Sequence, residues 1–265
     1  MKKLKLILFS ILIFIILLSF LIKRSFYYFE KKKSFDTGIV IKVYDGDTIK
    51  VKFINGMIDK IRFIGVNCPE VDDEREEIRI FAYVAKRFTF VNLYRKKIKL
   101  TYDWKFRDKY GRILAYVWLN NNLFNEIIIK KGLAFAFFKF PFKREYQMRF
   151  KEAERLARFN KKGFWSLGEE KIISSEQSFY HINEYLNVKF KCQKIYFGKK
   201  YIFLDSSFDY AHSFSALIPI NEKEKFGNIE KFENKFLIAR GLVEKYKKKT
   251  QMIIFSPLQL KILQN

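Results

Sequence analysis

Cysteine and histidine are nearly absent from this 265-residue chain, which has only Cys68, Cys192, His181 and His212. Two thiols so far apart exclude both a disulfide framework and a cysteine-based zinc site. Neither histidine has an evident triad or metal partner, so each reads as structural or exposed. Acidic residues are also in deficit, with 28 Asp and Glu against 52 Lys and Arg, a net charge of +24. That excess points to a polyanionic partner, either nucleic acid or an anionic membrane surface. A proteome rich in Lys, Ile, Phe and Asn would produce the same bias. No short repeat period is present. At 49% hydrophobic content the chain is able to bury a core, and its length suits two modest domains.

The clearest organisational signal is "LILFSILIFIILLSFLI", residues 6–22, an apolar run between "MKKLK" and "KR". Its length is that of a short membrane-spanning helix, and no Ala-x-Ala-like cleavage site follows it. Residues 1–24 therefore read as an uncleaved anchor, with lysines and arginines on both sides leaving its orientation open. Residues 25–37 form a basic and aromatic linker. A first domain is expected over 38–166, a connector over 167–182 and a second domain over 183–265.

From Gly38 onward apolar and polar residues alternate through three strand-like stretches, broken at Asp45-Gly46 and Asn55-Gly56, dipeptides suited to hairpin turns. The acids Asp72 to Glu77 precede a helix-like segment that ends in bases, a polarity matching the helix dipole. Two further strands, "KIKLTYDW" and "RILAYVWL", and helices over 122–131 and 144–159 complete the first domain. The expected class is α+β, mainly β with helices, built on a five-stranded OB barrel. Residues 183–265 read as another small OB-like barrel with a helical insertion near 221–232.

Several polar pieces stand out. Asp47 in the "DGDT" turn, Asn67, the carbonyl of Cys68 and Glu70 are hard oxygen donors of the kind calcium prefers. Arg62 and Arg112 offer planar forks for phosphate oxygens, and Glu70 is placed to serve as base for an attacking water. Arg62 and Asn67 stand five residues apart, about 16 Å in a straight strand, so a single compact site requires the strand to curve strongly, with the turn at Pro69 bringing Glu70 back.

The stretches "VYDGDTIKV", "IRFIGVNCPE", "DKYGRILAYVW", "FNEIIIKKGLA" and "KKGFW" resemble the staphylococcal nuclease (thermonuclease) family over residues 38–165. The resemblance implies calcium-dependent cleavage of DNA and RNA with little sequence preference, leaving 3′-phosphate ends. It implies Arg62, Glu70 and Arg112 as catalytic residues, Asp47, Asn67 and Cys68 as calcium ligands, and Lys109 and Tyr110 as substrate contacts. It also favours a catalytic domain outside the cytoplasm. The family commonly has aspartate where Asn67 stands, so weaker calcium binding is expected, and a membrane-anchored nucleic-acid binder with lost catalysis is the alternative. In the second domain "FLIARGLVEKYKKKTQMIIFSPLQL" resembles the closing strands of OB-type nucleic-acid-binding domains. Lys189, Lys191, Lys199, Lys200 and Lys247 to Lys249, with Phe190, Tyr196, Phe197, Tyr201 and Tyr246, would line a cationic groove there. A third reading is an envelope protein that binds anionic lipid.

Overall fold

The structure is a computed structural model that describes residues 11–21, 35–166, 172–209, 211 and 213–263. Strands β1 (Phe35–Val43), β2 (Thr48–Phe53) and β3 (Ile58–Phe63) form an antiparallel meander. Asn55 accepts from the Met57 amide in the β2–β3 turn, as the turn dipeptide leads one to expect. A two-residue strand β4 (Val66–Asn67) follows, and β5 (Lys97–Thr101) and β6 (Ile113–Leu119) come after the first helix. β3 runs parallel to β6, β6 antiparallel to β5, and β5 antiparallel to β1. The ring β1-β2-β3-β6-β5 is thereby closed into a five-stranded barrel of the expected OB type. Strand alternation fills it, with Ile49, Val51, Ile61, Phe63, Ile98 and Leu100 all buried.

Helix α1 (Glu76–Leu93), strand β7 (Asn122–Leu123), helix α2 (Phe124–Lys130), strand β8 (Phe135–Ala136) and helix α3 (Arg144–Phe159) pack around this barrel. α1 carries Glu76 and Glu77 in its first turn and no base in its last. Asp72 to Glu74 lie before the helix, and Arg95 adopts φ +61 just past it, so the expected basic end falls outside.

The second unit contains β9 (Ile172–Ser174), β10 (Tyr185–Lys191), β11 (Lys194–Phe197), β12 (Tyr201–Asp205), β13 (Phe214–Pro219), β14 (Phe236–Leu242), β15 (Glu244–Tyr246), β16 (Lys249–Ile253) and β17 (Leu260–Ile262). β9 lies in the stretch read as a connector and pairs in parallel with β10. β10 with β11, and β14 with β15, are successive segments of two long strand paths. Their pairings repeat the order of the first barrel: β11 to β12, β12 to β13, β13 parallel to β16, β16 to β15, and β14 back to β10. The helical insertion consists of 3-10 turns at Ile220–Phe226 and Glu230–Phe232.

Each unit has its own apolar core. α1 joins them, because its far face meets the second unit: Phe81 packs on Tyr185, Tyr83 stacks on Phe255, and Arg87 binds both carboxylate oxygens of Glu244 at 2.6 and 2.8 Å. Ser256 adds a hydrogen bond to Glu76.

Residues 11–21 are helical with exposed apolar side chains, whereas the rest of the proposed anchor and residues 25–34 of the linker lie outside the described residues. No helix among the described residues is long and apolar enough to cross a membrane, so the spanning helix expected from the sequence is not supported. His212 also lies outside the described residues; His181 meets Glu184 at 3.1 Å.

Candidate active site

The site is built where two turns cross. In the β1–β2 turn the Asp47 amide donates to Asp45 Oδ1, which fixes the Asp47 side chain pointing inward. Its Oδ2 accepts from the Cys68 amide at 2.8 Å, tying this turn to the one after β4. The two backbones approach closely because position 46 is glycine: a Cβ there would stand 2.5 Å from Cys68 Sγ and 2.7 Å from the Ala85 methyl. Thr89 of α1 donates to the Gly46 carbonyl and holds the turn from outside.

Arg62 and Asn67 do come together, with Nη2 of Arg62 donating to Asn67 Oδ1 at 3.2 Å. The bend that allows this is at Ile64-Gly65, where Gly65 has φ +69 and lies against the rings of Phe150 and Phe142. Only glycine takes that conformation without cost, and a Cβ would strike Phe150 at 2.7 Å. Buried Asn125 clamps the bend, donating to the Ile64 carbonyl at 2.9 Å while accepting from the Val117 amide at 2.8 Å.

Asp47 is buried, and Nη1 of Arg62 lies 2.5 Å from its Oδ1. That contact lacks hydrogen-bond direction, so Nη1 is a buried donor with unused capacity at the site. Burial pushes the Asp47 carboxyl up to about 7, Arg62 opposes this, and the Asp45 charge reinforces it. Glu70 is exposed, and its carboxyl is raised above its usual range by partial desolvation and then by Asp45, while Arg62 and Arg112 pull it down.

Arg112 and Lys109 leave a tight loop organised by Asp108, whose Oδ1 accepts from the amides of Tyr110 and Arg112 and whose Oδ2 takes Arg112 Nε at 2.7 Å. Tyr110 stands out 71% exposed, its ring 4.9 Å from the Lys109 ammonium and 5.4 Å from the Arg112 guanidinium. Arg62, Asn67, Lys109, Tyr110 and Arg112 line one cleft of about 370 Å³, with Lys105, Lys139 and Phe140 on its rim. Asp47 and Cys68 sit beside it through Arg62 and Asn67, and Glu70 feels both arginines.

Asp45 and Asp108 stand in the sequence motifs around Asp47 and Arg112 but were given no role there, and Asn125, which carried no local signal of its own, was not singled out.

Among the described residues no cluster of three or more His, Cys, Asp or Glu side chains is placed to hold a metal ion. The donors here are of another kind: one carboxylate, one amide oxygen and one backbone carbonyl. All are hard oxygens of the type a hard divalent ion takes, and in this structure the Arg62 guanidinium occupies Asp47 Oδ1 and Asn67 Oδ1.

Residues 60–167 match the family model described as Staphylococcal nuclease homologue. The thermonuclease of Staphylococcus hyicus is 42% identical over 127 residues, covering 48% of this chain and 74% of that protein. The thermonuclease of Staphylococcus intermedius is 35% identical over the same length and shares. Endonuclease YncB of Bacillus subtilis is 32% identical over 126 residues, 47% of this chain and 59% of its own length. With this likeness laid over a closed five-stranded barrel, the chain belongs to the staphylococcal nuclease family.

Proposed function

We propose that this phosphodiester-cleaving nuclease acts on DNA and RNA through the cleft between β3 and the Asp108–Arg112 loop. One observation carries the reading: Arg62 and Arg112 open into the same cleft, and the Glu70 carboxyl feels both. The guanidiniums of Arg62 and Arg112 bind the oxygens of the scissile phosphate, where charge accumulates as a nucleophile arrives. Glu70 takes the proton from the attacking water, and the displaced 5′-oxygen leaves with the phosphate retained on the 3′ side. Lys109 contacts a neighbouring phosphate, and Tyr110 presents its ring to a base or sugar.

Asp47, Asn67 and the Cys68 carbonyl would hold a calcium ion, which when bound supplies positive charge against the phosphate. One formal negative charge is missing at Asn67 relative to the usual aspartate, and Asn67 Oδ1 is shared with Arg62. A weakened ion site is the consequence, and it is also what favours the second reading, a nucleic-acid binder without catalysis. The exposed apolar helix at 11–21 is in keeping with a membrane tether, and placement of the nuclease unit outside the cytoplasm rests on the family resemblance alone. Protease accessibility on intact cells checks that placement.

Incubation with single-stranded DNA and calcium tests the proposal. Cleavage that EDTA stops and Glu70→Gln abolishes is the expected result. Binding without cleavage by the unaltered chain overturns it in favour of the second reading.

A further inference from the structure

We infer that the outer face of β1, β2, β3 and β5 is a docking surface for the headgroups of an anionic phospholipid bilayer. The inference stands apart from the nuclease reading, because it uses none of the residues of the cleft.

Strand register puts like charges side by side on this face. Lys42 of β1 lies opposite Lys50 of β2, and Lys50 opposite Lys60 of β3, so one row across three strands is lysine throughout. Facing positions in such a row bring Cβ atoms to about 5 Å, and like charges there destabilise the sheet. The next row reads Lys97, Ile39, Lys52 and Ile58 across β5, β1, β2 and β3, and Lys99 sits two positions further along β5. The acids of these strands, Asp36 and Asp59, fall at the alternate positions, where they are engaged by Tyr102 and Arg107. No carboxylate of the four strands therefore faces the six lysines. Their mutual repulsion is offset when a polyanionic surface lies across the rows.

Two features select lipid over nucleic acid. The side chains set among the lysines are aliphatic: Ile39, Met57 and Ile58 are exposed, Ile54 in the β2–β3 turn is 76% exposed, and the bulge between Val40 and Lys42 leaves Ile41 outside as well. Such side chains enter the boundary between headgroups and acyl chains, whereas they offer a base no flat surface to stack on. The two rings present, Tyr44 and Phe35, are already engaged: the ammonium groups of Lys42 and Lys60 stand 4.8 and 4.9 Å from the first, and that of Lys99 4.5 Å from the second.

The second feature is the origin of β1. Phe35 opens that strand, and only residues 22–34 separate it from the exposed apolar helix at 11–21. That stretch spans at most about 45 Å. A lipid interface that covers the apolar helix therefore keeps the lysine rows within reach of its headgroups. The stretch has five bases and one acid, which makes it a poor cover for the rows itself. Ile54, Met57 and Ile58 gather at one end of β3 and Arg62 stands at the other, about 13 Å along the strand, which leaves the cleft outside the apolar patch.

The test uses the full chain with a nitrobenzoxadiazole label at Ile54→Cys, mixed in EDTA with vesicles of phosphatidylcholine alone or with phosphatidylserine added. Cys68 and Cys192 are buried, so the new thiol alone takes the label. Protection from the neutral quencher acrylamide should rise severalfold with phosphatidylserine and not without it, while a label at Tyr180→Cys on the second unit stays open to quencher in both. Lys50→Gln with Lys52→Gln and Lys60→Gln should cut the ratio of docked to free label about 100-fold, about fivefold for each lysine. The urea midpoint of that triple variant should hold or rise, since the change relieves repulsion. Equal quenching in both lipid mixtures overturns the proposal, as does protection that survives in the triple variant. A lowered midpoint would make the lysines structural and overturn it too. Protection without vesicles would mean that the chain covers its own face, and protection by oligothymidylate with none from lipid would make the rows a path for substrate; either result overturns the proposal.

Discussion

Replacing Arg87 by alanine is the sharpest stability test, because it strands Glu244 at the junction of the two units. The Glu244 side chain is only 5% exposed and takes both bonds of the Arg87 fork, with Gln251 Nε2 as its other donor at 3.2 Å. Burial alone would lower the Arg87 pKa, but the Glu244 hydrogen bonds and charge outweigh it and raise the pKa instead. Removing one member of such a pair costs about 3–5 kcal/mol. The variant has an escape, since protonating a glutamate of ordinary pKa about 4.3 costs about 3.7 kcal/mol at pH 7 and about 1 kcal/mol at pH 5. The stranded carboxyl then has a folded pKa above its unfolded one, so the penalty is full at high pH and fades as pH falls towards the unfolded value. Urea unfolding followed by circular dichroism should therefore give a loss of about 3–4 kcal/mol at pH 7 and about 1 kcal/mol at pH 5. Arg87→Met combined with Glu244→Gln should recover most of it. A loss below about 1 kcal/mol at pH 7, or the same loss at both pH values, would refute the reasoning.

Arg112→Lys removes the planar fork but keeps the charge, and kcat should fall about 10²-fold with little change in urea midpoint; equal activity would deny Arg112 a role in the transition state. Asn67→Asp restores a charge to the ion site and should lower the calcium concentration giving half-maximal activity, and identical calcium titrations would remove the claim. The acid limb of kcat/KM against pH should lie above the usual carboxylate range, because the Glu70 pKa is raised and the base is lost as pH falls through it. Asp45→Asn should move that limb downward by removing a repelling charge. Burial pushes the Cys192 thiol up to about 12 and that of Cys68 well above its ordinary value, so native protein should react with a disulfide reagent only after unfolding. Rapid stoichiometric labelling of the folded chain would contradict this.

How much of this was legible depended on sequence distance. The three-stranded meander, the two dipeptide turns and the helix at 144–159 follow from local alternation and period, and the structure places them there. Arg62 and Asn67 were expected to meet through a strongly curved strand, and they do; what the sequence left unmarked is that the curve needs the positive φ that Gly65 supplies. The Arg87–Glu244 junction spans 157 positions and left no trace in local pattern. Phe190 was offered as a stacking ring although its alternation with Val188 marks it as inward-facing. With 31 phenylalanines, aromatic residues occur on both faces of many strands, and ring content alone does not separate core from surface.

The parallel closing pairs also set a schedule for synthesis. The first barrel joins Ile61 to Ile113 and the second joins Phe214 to Thr250, so neither ring shuts until its last strand has left the ribosome. The leading barrel closes at β6, well before the residues that close the other are made, and it waits with the outer face of α1 bare. Phe255 and Ser256, which cover that face, emerge only after the second ring's closing strand. A nascent chain stalled before them would carry a finished nuclease unit with an uncovered aromatic flank, a natural target for chaperones.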